Sequence, residues 1–216
     1  MVKDKKEQHR KLSPTEQRRL QHFQSLSERL EAQGYQRKEL TVGIVAANVF
    51  AVLLGIPVII VGLILFFLRH AEHLGSAISL MGRASLLLVV VFFALIVVHE
   101  GIHGLTWSIF AENHLKDIEF GFMKEYLTPY CSCACPLTKG AYLLGALMPL
   151  VILGLIPTII AIVIGHWWML WIGFVMTISA GGDVIIAWKV IFHRSAAREV
   201  LYCDHPTQAG VVVFER

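Results

Sequence analysis

Hydrophobic residues along this 216-residue chain gather in four long blocks, over about residues 41–68, 84–110, 141–164 and 167–191. Each block exceeds the roughly 20 apolar residues that a helix needs to cross the hydrocarbon core of a bilayer. The pattern therefore predicts four transmembrane helices. Pro57, Pro149 and Pro157 fall inside the blocks, where neighbouring helices can satisfy the backbone groups that a proline frees. Trp167, Trp168 and Trp171 open the fourth block, as residues at a membrane–water interface do.

The polar stretches predict two further elements. In "SPTE" at 13–16, Ser13 reads as an N-cap, Pro14 as the first helical residue and Glu16 as the partner in a capping box. Leu20, Phe23, Leu26 and Leu30 form a narrow apolar stripe behind it, and Gly34 reads as the stop. Between the second and third blocks, Ile118, Phe120 and Phe122 alternate with Glu119 and Gly121, the period of a half-buried strand. A second extended piece, about residues 126–133, could pair with it. The expected fold class is an all-α membrane protein of four transmembrane helices, with a short cytosolic β-hairpin or re-entrant loop between the second and third. Residues 1–40 are expected as a basic, helical, cytosolic arm, 41–192 as the transmembrane domain and 193–216 as a cytosolic tail. The first forty residues hold no apolar core of the signal-peptide kind, so the first block is expected to target and anchor the chain.

Composition agrees with the block pattern: 56% of residues are hydrophobic, 16% are charged and the mean hydropathy is +0.62. Soluble domains carry about 25% charged residues. The net charge of +3 matters less than its placement, since seventeen of the nineteen Lys and Arg lie on one side of the expected bundle. Only Arg69 and Arg83 lie on the other. By the positive-inside rule both termini are cytosolic; a prokaryotic cytoplasmic membrane is the expected location, with the bilayer as partner and no nucleic acid. Cys131, Cys133 and Cys135 crowd into five residues, too close for ordinary disulfides among themselves. Their C-x-C-x-C spacing also lacks the C-x-x-C of zinc knuckles, and the cytosol keeps thiols reduced.

Three ionisable residues interrupt the end of the second block, in "LIVVHEGIHGLTW" at 95–107. Ionisable groups in a membrane helix cost roughly 2.5–3.5 kcal/mol each on insertion scales, which makes function the default inference. Residues i and i+4 share a helix face, so His99 and His103 can offer their imidazoles to one ion. Glu100 beside them completes the H-E-x-x-H pattern of zinc peptidases. Neutral histidines satisfied by neighbouring helices, or histidines holding a haem or a transported cation, would leave that carboxylate without a role. A catalytic zinc usually takes a third protein ligand. Glu112 and His114 follow the helix closely, but Asp183, in "SAGGDVIIAW" of the fourth block, is the better candidate. His99 lies about 15 residues from the outer face and Asp183 about 16, roughly 22 and 24 Å deep at helical rise. Gly181 and Gly182 would let that helix approach closely or unwind.

With "HEGIH", "CSCACPLTK", Pro149, "GGD" and the trailing "DHPTQAGVVVF", the chain resembles a bacterial family of membrane-embedded zincin peptidases. This is a domain-of-unknown-function family carrying HExxH, related in plan to the site-2 proteases. The resemblance covers most of residues 85–216. It implies one zinc ion per chain held by His99, His103 and Asp183, with Glu100 as the catalytic base, in an intramembrane peptidase-like fold. The site-2 proteases set their distal aspartate in a somewhat different local motif. The expected activity is zinc-dependent hydrolysis of peptide bonds in membrane-associated protein or peptide substrates, at a site on the cytosolic half of the bilayer. The hairpin is a candidate to pair with an extended substrate by adding a strand. The alternative is a non-enzymatic metal-binding membrane protein, such as a transporter subunit or a degenerate peptidase.

Overall fold

A computed structural model describes residues 13–71, 85–123 and 128–216. The start of the second block at 84 and the hairpin tip with Tyr126 lie outside the described residues. Helix α1 (Pro14–Ala32) begins as its capping residues predict: the Ser13 hydroxyl accepts from the Glu16 N–H at 3.3 Å, and the Glu16 carboxylate accepts from the Ser13 N–H at 2.9 Å. Gly34 (φ +91°) turns the chain into strand β1 (Gln36–Thr41).

Helices α2 (Ile44–Arg69) and α3 (Ser85–Ser108) follow, then α4 (Lys139–Pro149). A π-helical turn, Leu150–Leu155, joins α4 to α5 (Ile156–Ile164) directly after Pro149, which has no N–H to donate. Three helical stretches are long and apolar enough to cross a membrane: Ile44–Arg69, Val89–Ser108 and Lys139–Ile164. The fourth block is a broken helix, α6 (Trp167–Ser179) and α7 (Gly181–Phe192), bent by 50°. At the break a Cβ on Gly181 would sit 2.2 Å from the Ala51 Cβ and 2.4 Å from its Cα, so only glycine lets α2 approach here. Gly182 meets nothing within 4 Å.

The predicted hairpin is present as β2 (Ile118–Met123) and β3 (Thr128–Cys133), antiparallel with Phe120 opposite Cys131. Phe120 and Phe122 are about half exposed, and the Phe120 ring tip reaches α3, where a Cβ on Gly104 would lie 2.7 Å from it.

The fold also contains a sheet that the all-α expectation lacked. Residues expected as a terminal tail form β4 (Val200–Asp204) and β5 (Gly210–Glu215), which join β1 in the order β1-β5-β4. All pairings are antiparallel, with Gln36 opposite Glu215 and Tyr202 opposite Val213. Strand β5 is buried on both faces. Val212 and Phe214 pack with Phe23, Leu26 and Leu30 of α1, while Val211 and Val213 pack with Trp107, Tyr142 and Val190 of the helices. A strand covered on both sides carries no polar alternation, so "GVVVFE" shows no period of two. The layers are therefore α1, then the sheet, then the helices.

Candidate metal centre

The site starts from the helix geometry of α3. His99 and His103 stand one turn apart, both buried, with their Nε2 atoms 3.1 Å apart. His103 Nδ1 lies 2.8 Å from the Gly145 carbonyl. A carbonyl only accepts, so Nδ1 carries the proton and Nε2 turns a lone pair toward His99. Trp107, one further turn on, stacks on the His103 ring at 5.2 Å and 17° and donates its indole N–H to the Tyr142 carbonyl at 3.2 Å. Gly145 makes this possible, since a Cβ there would lie 2.0 Å from the Trp107 Nε1. Helix α4 thus sets the ring that α3 carries.

The break between α6 and α7 places Asp183 in the first turn of α7. Its Oδ2 is 3.1 Å from His99 Nε2 and its Oδ1 is 3.5 Å from His103 Nε2. These three side chains form a group whose ligand atoms all lie within 4.8 Å of one another. Donors at about 2.0–2.1 Å from one tetrahedral ion are roughly 3.3–3.4 Å apart, and the three separations of 3.1, 3.1 and 3.5 Å bracket that value. Two imidazole nitrogens at 3.1 Å also need a proton or a cation between their lone pairs. Two nitrogens and a carboxylate oxygen are a donor set that zinc takes, so these residues fit the ion. Among the described residues, buried His99 Nδ1 has no hydrogen-bond partner.

Glu100 lines the same cavity of about 550 Å³ as the three donors. The Cys131 backbone N–H of β3 donates to its carboxylate. The next outward N–H on that strand, from Cys133, donates to Asp204 Oδ2 at 2.9 Å, and the Tyr142 hydroxyl donates to Asp204 Oδ1 at 2.8 Å. So the edge of β3 away from β2 is fastened to the site wall by two carboxylates. Burial pushes the pKa of Asp204 up, against those hydrogen bonds.

The turn after Asp204 also lines the cavity. His205 Nδ1 accepts the N–H groups of Thr207 and Gln208 at 3.2 and 2.9 Å, and burial holds its pKa down at about 4. Arg19 of α1 donates to the His205 carbonyl and lies over the Tyr130 ring at 4.8 Å. Asp204 and the Cys131 N–H were not among the candidates from the sequence. A backbone donor has no residue signature, and Asp204 lies outside the hydrophobic blocks where a charge stands out.

The other candidates from the sequence lie elsewhere. Glu112 and His114 are exposed, and His114 Nδ1 pairs with the Ser108 carbonyl at 3.0 Å. Cys133 and Cys135 are buried with their sulfurs 3.1 Å apart. Among the described residues, the His99, His103 and Asp183 group is the one set of three that could hold a metal ion.

A His–Glu–x–x–His turn with a distal aspartate facing the same point is the arrangement that zinc peptidases use. Residues 92–198 match the DUF3267 family, described as "putative zincin peptidase". The matched span holds His99, Glu100, His103 and Asp183 and ends before β4. No curated protein and no solved structure gives a match.

Proposed function

We propose that this protein is a zinc-dependent intramembrane peptidase that hydrolyses peptide bonds of membrane-associated proteins or peptides. The observation that carries the proposal is the convergence of His99, His103 and Asp183 beside Glu100 in one cavity. Membrane placement is supported by the apolar side chains left exposed on the long helices, among them Leu53, Ile64 and Leu68 of α2 and Val90, Phe93 and Val97 of α3. A water-facing surface rarely carries so continuous an apolar patch. The Lys and Arg asymmetry supports a cytosolic placement of both termini and of the site near them.

His99, His103 and Asp183 would hold one zinc ion per chain, which would supply a Lewis acid able to lower the pKa of a water toward about 7 and to polarise a carbonyl. Glu100, in the same cavity, is placed to take a proton from the attacking water and to return it to the nitrogen of the leaving amine. The Cys131 N–H holds the carboxylate in place for both transfers. The His103 ring is fixed by the Gly145 carbonyl and by Trp107, so its Nε2 stays turned toward His99 and Asp183. A substrate segment has to be extended at the site, because a helix keeps its peptide bonds inside its own hydrogen bonds.

Glu100→Gln tests this reading. The variant is expected to keep about one zinc per chain by elemental analysis and to lose at least about 100-fold in cleavage of an unfolded protein such as casein. Cleavage at the native rate by the variant would overturn the mechanism.

A further inference from the structure

Helix α2 forms part of the cavity wall, as does the hairpin strand β3. Between residues 44 and 68 of that helix, Asn48 is the only side chain able to form hydrogen bonds. Asn48, Ala51 and Val52 share one helix face and together line the cavity that holds the metal-binding group. Their position is set by the close contact of Ala51 with Gly181, two residues before Asp183. Asn48 stands one turn from that contact, about 4.5 Å along the axis. Its side chain is exposed, and among the described residues its carboxamide has no hydrogen-bond partner.

An extended peptide entering this cavity brings backbone N–H and C=O groups that are costly to leave unpaired away from water. The nearest strand edge is partly closed to it. The outward N–H groups of Cys131 and Cys133 already serve Glu100 and Asp204, so a full ladder cannot form there. On the other side, α2 packs on α5, α6 and α7, while α3 packs on α4 and the hairpin. The cavity is lined from both groups, by Asn48 from one and His99 and Glu100 from the other.

We propose that Asn48 binds the backbone of the extended substrate, its carboxamide accepting from one peptide N–H and donating to one C=O. A carboxamide is both donor and acceptor and so matches a peptide group whatever the side chains beside it. Asn48 is then a determinant of substrate binding that discriminates extended from helical segments, because a helix has no backbone groups to offer. This role rests on the peptidase reading given above.

The test uses the full-length, zinc-loaded Glu100→Gln protein in nanodiscs, which binds without cleaving. The probe is a fluorescein-labelled apolar peptide with a Gly/Ser centre, compared with the same peptide N-methylated at its central nitrogens. Asn48→Leu, benign on an exposed apolar helix, is expected to raise Kd for the plain peptide about tenfold, with Asn48→Gln within about threefold of the parent. The N-methylated peptide should bind weakly and alike to the parent and the leucine variant. The proposal is overturned if Asn48→Leu leaves Kd within about twofold, if its full loss persists for the N-methylated peptide, or if the parent does not bind. Wild-type protein that binds the plain peptide without cutting it overturns the peptidase reading alone. Cleavage with no dependence on Asn48 overturns this proposal alone.

Discussion

Two groups of metal-loving side chains lie within this fold, and they are built differently. His99, His103 and Asp183 come from two helices and turn their donor atoms toward one point, 3.1–3.5 Å from one another, at the wall of an open cavity. Cys131, Cys133, Cys135 and Cys203 are more numerous, and the sulfurs of Cys133 and Cys135 also lie 3.1 Å apart, yet they are packing residues. Cys133 and Cys135 belong to the core with Trp107, Leu137 and Tyr142, and Cys203 to the core with Phe23 and Val212. Burial pushes the thiols of Cys131 and Cys203 upward, and the hydrogen bond to Cys135 does the same for Cys133. All three are thereby held away from the thiolate that binds metal. Density of ligand-type residues does not make a site; convergence on a point with room beside it does.

The sharpest way to break that comparison is at Asp183, whose carboxylate bridges the broken helix to the histidines. Asp183→Ala is expected to lower zinc from about one per chain to below about a tenth after dialysis, as loss of one of three protein ligands should. Elemental analysis of purified protein reads the result. Full retention of zinc in this variant would remove Asp183 from the ligand set and reopen the search for a third donor.

A smaller effect is expected from Gly145→Ala, which replaces no ligand but alters the residue whose carbonyl holds His103. The new Cβ collides with the Trp107 indole, which is stacked on His103. Displacing that ring disturbs the hydrogen bond between His103 Nδ1 and the Gly145 carbonyl. Outer-shell partners of this kind are worth about 10–100-fold in metal affinity, so a competition titration with a zinc indicator should show a loss of that order. Adding Trp107→Ala makes room for the Cβ and should recover part of it. If the single variant binds zinc like the native protein, Trp107 and Gly145 are packing partners with no hold on the ligand.

Where the sequence was legible, a physical cost marked the residue. His99, Glu100 and His103 stood out because ionisable groups inside an apolar run are expensive, and their spacing puts the two histidines on one face. Asp183 stood out for the same reason, and helical rise alone set it at the depth of His99. The structure puts the two within 3.1 Å. The hairpin was visible as an alternation, although its phenylalanine face is exposed. The sheet β1-β5-β4 had no such mark. Its strands come from residues 36–41 and 200–215, on opposite sides of the helical region, and β5 is apolar on both faces because α1 covers one and the helices the other. The fastening of β3 to the site was invisible too, since it runs through the backbone N–H groups of Cys131 and Cys133. Asp204 joins residues 71 and 62 positions away, a link that only the folded layers create.

The smallest effect on the metal is expected from the cysteines, and it tests the comparison from its other side. Replacing Cys131, Cys133 and Cys135 by alanine removes three sulfurs within five residues, the densest cluster of soft donors in the chain. If they only fill the space between the hairpin and the helices, zinc should stay at about one per chain. The cost should then appear in stability, about 1 kcal/mol for each buried side chain shortened, read as a lower Tm in detergent. Cys131 is the most informative of the three, because its N–H serves Glu100 while its sulfur does not. Alanine keeps that N–H, so catalysis should survive in Cys131→Ala. A proline at 131 would remove it, and with it the anchor of the base. Loss of zinc in the triple alanine variant, with His99, His103 and Asp183 intact, would mean that the thiols belong to the metal site and that convergence is the wrong criterion.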